Sequence, residues 1–179
     1  DAAERALRRS EEVVRESVEE VKTWVDENRR SVERLREELR KDEERVRRVV
    51  ERIRKLVEDG EDKRELRKDL TRVLEESKES VRRIKEDLKR DTDKTEKLLD
   101  ENRRKNEKSR RELEEIVRKG LVSEEVLKRV RKTNDDSDKE VKRLIDEARK
   151  LNDDVRKEVE EVLERTTRIL DRVRKEVEK

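Results

Sequence analysis

The chain has 179 residues, and its 55 basic and 53 acidic side chains nearly cancel to a formal net charge of +2. Because it lacks Cys and His, it has no disulfide and none of the common zinc ligand sets. The interleaved charges give no basic surface for nucleic acid, and no apolar run approaches the roughly 18 residues of a membrane span. We therefore expect no cofactor, no nucleic acid and no membrane partner, and the compartment stays open because no targeting signal is recognisable.

Glycine marks the boundaries of the predicted helices, because the chain has only two glycines and no proline. Gly60 and Gly120 suit the left-handed position that ends a helix, and they divide the chain into three nearly equal segments. Each segment opens with a helix-capping residue, which is Asp1, Asp62 or Ser123. The predicted helices span about residues 2–59, 62–119 and 123–179.

Apolar side chains recur along each segment at alternating steps of three and four residues, which is the pattern of a heptad seam. One row of each seam contains Val18, Val25, Val32, Leu39, Val46 and Ile53; Leu74, Val81, Leu88 and Ile116; and Leu127, Val141, Ala148, Val155, Val162 and Ile169. Since short turns make successive helices antiparallel, we predict an all-α fold. It is an antiparallel up-down-up three-helix bundle of coiled-coil-like helices of about 57 residues, forming one domain over residues 1–179. The handedness of the bundle stays open.

Polar side chains interrupt the apolar rows at levels that coincide when the chain is folded at its two glycines. A buried amide or hydroxyl without a partner costs about 1–3 kcal/mol, so coincident levels favour mutual hydrogen bonding and a fixed register. The alternative is that these side chains lie at the boundary and contact water. The residues predicted to be structural and buried are Ser10, Ser17, Asn28, Ser31, Ser77, Thr95, Asn102, Asn106, Ser109, Asn134, Ser137, Asn152 and Thr166. Burial of Asp42 and Asp91 stays open, because burying a carboxylate is costly.

Seven residue types are absent from the chain, namely Cys, Met, His, Phe, Tyr, Pro and Gln, although average proteins contain about 5% Pro. The residue types that remain are mainly strong helix formers, together with Val, Ile and Leu for a core. Together with the equal helices, the three caps and the layered Asn, Ser and Thr positions, this composition resembles a computationally designed helical bundle with buried hydrogen-bond networks. The resemblance covers the whole chain and implies high stability and no evolved activity, although this core uses Val more than Leu.

Clusters of like charge give no catalytic, cofactor-binding or metal site. The pair Glu19 and Glu20 lies beside Lys and Arg on a solvent face, whereas general acid–base catalysis needs a carboxylate with a shifted pKa in a cleft. The pair Asp153 and Asp154 lacks the glycine-containing loop of an EF-hand. Trp24 is the only aromatic residue, and its place on the flank of the seam favours boundary packing over an interface anchor.

These patterns favour a structural scaffold, which is a stable monomeric bundle with no natural biochemical function and no required partner. The alternative is a designed protein–protein interaction module that self-associates or exchanges helices, and the surplus apolar residues Val13, Val50, Val57 and Val117 motivate it. A natural spacer resembling a spectrin repeat, or a charged single helix, is a third reading, although an isolated helix needs no seam. An enzyme is the remaining class.

Overall fold

The computed structural model describes residues 2–179, and these residues form three long α-helices with no β-strand among them. The helices are α1 (Ala2–Glu58), α2 (Lys63–Arg118) and α3 (Glu124–Glu178). The predicted all-α class and the three-helix architecture are confirmed. The predicted cap Asp1 lies outside the described residues.

Glycine ends the first two helices in the left-handed conformation, with φ of 75° at Gly60 and 65° at Gly120. The amide of Gly60 donates to the carbonyl of Val57 at 3.1 Å, and the amide of Glu61 donates to the carbonyl of Leu56 at 3.0 Å. The second turn repeats this arrangement, since Gly120 donates to Val117 at 2.9 Å. Both turns are therefore Schellman motifs, which satisfy the last carbonyl groups of each helix.

Side-chain caps begin the second and third helices. The Asp62 carboxylate accepts a hydrogen bond from the Arg64 amide at 2.9 Å, and the Ser123 hydroxyl oxygen accepts one from the Val126 amide at 3.4 Å. Each cap gives a partner to one of the amides that have no acceptor in the first helical turn. Local sequence thus explains where the first two helices stop and where the last two start.

Contacts divide the chain into two compact units, and each unit takes one segment from every helix. The first unit contains Asp1–Arg29 and Asp91–Leu151, and the second contains Arg30–Arg90 and Asn152–Lys179. The expectation of one domain over the whole chain stays a prediction.

In the first unit, residue numbers that rise along α1 fall along α2, because Ser10 contacts Ser109 and Ser17 contacts Asn102. The segments of α1 and α2 are therefore antiparallel. The segment of α3 runs parallel to that of α1, since Glu11 binds Arg129 and, further along both helices, Arg29 binds Glu147. One apolar cluster of this unit consists of Val21, Val25, Leu99, Val141, Leu144, Ile145 and Ala148, and another of Leu7, Leu113 and Val130.

The second unit has its own apolar core, built from all three helices. Its buried members are Val46, Val50, Ile53, Leu66, Leu70, Val73, Leu170, Val173 and Val177. Burying one Val, Leu or Ile side chain contributes about 1.5–3 kcal/mol relative to leaving it exposed. Burial of this kind, rather than helix propensity alone, stabilises the long helices.

We predict that Gly120→Ala lowers the free energy of unfolding by about 1–2 kcal/mol, since a Cβ in the left-handed region is strained even where space is open. Gly120→Asn is the matched variant and should cost less, because Asn tolerates this conformation better than Ala. Chemical denaturation followed by circular dichroism measures both values. Equal costs for the two variants would contradict the backbone explanation.

Candidate functional site

The residues singled out by the sequence lie in the interior of the two units. Twelve of them are buried, and Ser31 is half-buried. Asp42, whose burial the sequence leaves open, is buried, whereas Asp91 is half-buried. The hydrogen bonds that these side chains form differ between the two units.

A hydroxyl relay joins all three helices in the first unit. The Ser10 hydroxyl donates to the Ser109 oxygen at 2.6 Å, and the Ser109 hydroxyl donates to Oδ1 of Asn134 at 3.3 Å. The three side chains come from α1, α2 and α3 and are each no more than 7% exposed. Water is thus excluded from these groups, and each helix supplies a partner to another.

A second set of hydrogen bonds runs from the core of the first unit to its surface. Nδ2 of Asn102 donates to the Ser17 hydroxyl at 2.8 Å, and Nδ2 of Asn106 donates to Oδ1 of Asn102 at 3.4 Å. Nδ2 of Asn106 also donates to the carboxylate of Asp138, which in turn accepts from Arg110. A charged pair at the surface therefore terminates the chain of buried amides.

Trp24 is a buried hydrogen-bond donor as well as an apolar group, with 7% of the residue exposed. Its indole nitrogen donates to the Thr95 hydroxyl at 2.9 Å, and that hydroxyl donates to the Asp91 carbonyl at 2.8 Å. The ammonium of Lys94 lies 4.3 Å from the ring centroid, in cation–π geometry. The expectation of a boundary position missed this donor, because the sequence did not reveal that Thr95 faces the indole.

The polar side chains of the second unit are less well paired. One carboxylate oxygen of Asp42 accepts from Arg45 at 2.7 Å, but the other is buried without a partner in the described chain. Among the same described residues, the buried hydroxyl of Ser77 also has no partner. Thr166 is 3% exposed, and the neighbouring Thr167 hydroxyl donates to the Leu163 carbonyl of its own helix at 2.9 Å.

Two asparagines are buried with neither amide atom hydrogen-bonded to any residue in the 2–179 range. These are Asn28 and Asn152, which are 0% and 4% exposed. Within the same range, Nδ2 of Asn134 and the Ser137 hydroxyl are also buried without partners. An unpaired buried amide costs free energy, so these positions weaken the core that surrounds them.

One buried charge was missed by the sequence reasoning, namely Glu11, whose side chain is 5% exposed. One carboxylate oxygen binds Arg15 at 3.4 Å and the other binds Arg129 of α3 at 3.1 Å. The signal was present, because position 11 follows Leu7 by four residues and precedes Val14 by three, which is the spacing of the buried stripe.

Charged side chains also link the helices at the rim of the core. Arg149 binds Glu96 through two hydrogen bonds of 2.6 and 2.7 Å, and Arg36 binds Glu158 through two of 2.9 and 2.8 Å. The hydrogen bond from Arg149 lowers the pKa of the Glu96 carboxyl, against a smaller effect of burial that raises it. The hydrogen bond to Glu158 likewise raises the pKa of the Arg36 guanidinium.

Open grooves run between the helix segments within each unit. One groove of about 380 Å³ lies between α2 and α3 of the first unit, over Leu99, Val141 and Ile145. Among residues 2–179, no group of three or more Asp or Glu side chains could hold a metal ion. Within the same range, no helix is long and apolar enough to cross a membrane.

The fold and its interior define the chain as a three-helix protein with buried Ser, Asn and Thr hydrogen bonds. The sequence matches no protein-family model and no curated protein. Among solved structures, the chain is similar to a computationally designed three helix bundle, with 21% sequence identity and a TM-score of 0.45. That similarity covers 99% of this chain and 85% of the other chain.

We predict opposite effects for two buried polar residues. Ser109→Ala should lower the free energy of unfolding by about 1–3 kcal/mol, because it leaves Ser10 and Asn134 without their partner. Asn28→Leu should raise it by about 1–3 kcal/mol, because it replaces an unpaired amide by an apolar group of similar volume. Guanidinium denaturation curves of both variants provide the measurement. If both variants change the free energy of unfolding in the same direction, hydrogen-bond pairing does not decide how much a buried polar side chain costs.

The pH dependence of stability should change when Glu96 is replaced. Its pKa is lowered in the folded state, so the pair with Arg149 stabilises above the unfolded value of about 4.3, and this contribution is lost as the pH falls through the folded pKa. We expect Glu96→Gln to be less stable than the parent at pH 7 but to lose less stability on acidification. Urea denaturation at neutral and acidic pH measures the effect.

Glu114→Gln is the control for the acid experiment, because Glu114 is an exposed residue of the same helix and forms no salt bridge among the described residues. Its acid-induced loss of stability should match that of the parent. If Glu96→Gln behaves like Glu114→Gln, the ion pair has no part in acid stability.

Proposed function

We propose that this chain is a designed structural scaffold, which is a stable bundle with no natural biochemical function. The observation that carries the proposal is the hydrogen-bonded series from Ser10 through Ser109 to Asn134, which pairs groups of three helices inside an apolar core. Its support also includes the absence of seven residue types, which is unusual for a natural chain of this length.

Buried hydrogen bonds between helices act on the register of the helices. Sliding one segment of the first unit would separate Asn102 from Ser17 and Ser109 from Asn134 at the same time. Each buried group left without a partner costs about 1–3 kcal/mol, so the costs of a slipped register accumulate. Apolar side chains alone would tolerate such a slip better, since their packing is non-directional.

The surface is consistent with solubility rather than with recognition. Arg and Glu form many pairs three or four residues apart, such as Arg82 with Glu79 and Glu86. Exposed pairs of this kind contribute about 0–1 kcal/mol each, so their main effect is a mixed and patch-free charge pattern. A surface of this composition offers no single sign of charge that would attract a charged partner.

We propose that the protein is not an enzyme, and the five carboxyl groups whose pKa values are shifted are consistent with this proposal. A general acid at neutral pH needs a raised pKa. Arginine hydrogen bonds lower the pKa of the carboxyl groups of Glu37, Glu79, Glu96, Glu140 and Glu178. These groups stay ionised at neutral pH, which suits ion pairing and not proton donation.

A protein–protein interaction module is the second candidate, motivated by four apolar residues beyond the seams. Val50 is 3% exposed, and Val57 and Val117 pack against the apolar clusters of their own units. Of the four, Val13 is the exposed one, at 44%. Three of the residues that motivated an interface therefore pack, fully or in part, against the core of their own unit, which favours the scaffold.

Sedimentation equilibrium tests the scaffold proposal directly. We expect a mass of 21.9 kDa that does not change over a wide range of protein concentration. Val13→Glu is the control, because it replaces an exposed valine by a charged residue without changing the core. It should leave the measured association state unchanged. A concentration-dependent dimer that Val13→Glu abolishes would instead favour the interaction module.

A further inference from the structure

Burial along α3 repeats with a period of five helical turns, which is about 18 residues at 3.6 residues per turn. Val130, Ala148 and Thr166 are buried, and each lies one such period after the one before it. The same relation holds along three further rows of buried residues. These rows are Asn134, Asn152 and Leu170; Ser137, Val155 and Val173; and Val141, Val159 and Val177.

The other two helices repeat with the same period. Buried rows of α1 are Ala3, Val21 and Leu39; Ser10, Asn28 and Val46; Val14, Val32 and Val50; and Ser17, Leu35 and Ile53. Buried rows of α2 are Leu66, Ile84 and Asn102; Leu70, Leu88 and Asn106; and Ser77, Thr95 and Leu113. The repeat holds for burial and not for residue identity, so an ordinary search for repeated letters misses it.

The period has a simple geometric cause. Five complete turns of an α-helix return to the starting direction, so a side chain one period further on points the same way as the first. A strict heptad row drifts by ~20° per heptad on such a helix. The heptad rows do leave the core at the ends of the rows, where Val18, Leu56, Leu127 and Ile169 are only half-buried.

Positions related by this five-turn period accept either polar or apolar side chains. One row of α1 contains a serine, an asparagine and a valine, and one row of α2 contains a serine, a threonine and a leucine. Along these rows the helix phase accompanies burial, and the particular side chain decides the hydrogen bonding at that level. The row of Glu11, Arg29 and Arg47 departs from the pattern, because only Glu11 is buried.

We propose that the scaffold is built from layers, where one layer is a stretch of about 18 residues, or five turns, from each of the three helices. The length of the helices can then be changed by whole layers. Removing one layer from each helix would shorten each helix by about 27 Å and return every remaining side chain to its original direction. This inference rests on the proposed scaffold function and deepens it, because it makes the length of the helices adjustable.

The second unit contains a block suited to the test. The block is one layer of each helix, namely Val32–Val49, Arg72–Lys89 and Asp154–Asp171. It removes the poorly paired Asp42 and Ser77 and leaves Trp24 and the hydrogen bonds of the first unit in place. Ion pairs removed with both partners are Arg36–Glu158, Arg45–Glu76 and Glu43–Arg165, and pairs kept whole are Arg54–Glu176 and Arg67–Glu178.

A deletion of two heptads from each helix gives the matched control. Removing 32–45, 76–89 and 154–167 deletes Asp42, Ser77 and the same three ion pairs. It retains more apolar side chains, among them Val46, Val73 and Leu170, which are buried in the parent. On a helix with about 3.6 residues per turn it rotates the remaining segments by about 40°. A heptad period would favour this deletion, whereas the five-turn layer favours the other.

The experiment compares the parent and both deletions by circular dichroism and by the fluorescence of Trp24 during guanidinium denaturation. We expect the layer deletion to remain helical and to unfold cooperatively at a higher denaturant concentration than the two-heptad deletion, although it is shorter. A two-heptad deletion of equal or greater stability overturns the inference, and so does failure of the layer deletion to fold. Neither result affects the scaffold proposal, which depends on the folding and the monomeric mass of the parent chain.

Discussion

The interior of a long helical protein has to hold its helices in register as well as exclude water, and in the first unit the hydroxyl of Ser109 does the first. It accepts from Ser10 and donates to Asn134, so one buried atom connects α1, α2 and α3. The surrounding Leu7, Leu113 and Val130 supply burial but no direction. Directional bonds inside an apolar cluster therefore distinguish one alignment of the first unit from its neighbours.

Buried polar side chains lower the stability of the protein wherever they lack a hydrogen-bond partner. Asn28 and Asn152 are buried with no partner for either amide atom in the described chain, and Ser77 is in the same state. Such groups cost free energy in both aligned and misaligned states, so they add little to the choice between alignments. The hydrogen bonds of the first unit provide direction, whereas the second unit depends mainly on its apolar core.

Ion-paired Glu and Arg side chains lie at the boundary between core and solvent rather than inside a cleft. Glu11 is held between Arg15 and Arg129, and Glu96 is held by Arg149. Hydrogen bonding to arginine lowers the pKa of Glu96 and keeps it ionised, so the charge stays paired. Ion pairs with arginine therefore close the edges of the core at these positions.

The sequence by itself determined the helices, because their limits depend on local chemistry. Two glycines with left-handed backbone and the caps Asp62 and Ser123 act within a few residues of each helix end. Local spacing also separated a buried face from an exposed one, since side-chain direction along a helix depends only on residue number. Only the tertiary structure decided which atoms meet, such as Trp24 with Thr95, because that depends on the rotation and offset of one helix against another. For the same reason, only the folded structure showed that Asp42 is buried and that Glu11 pairs with both Arg15 and Arg129.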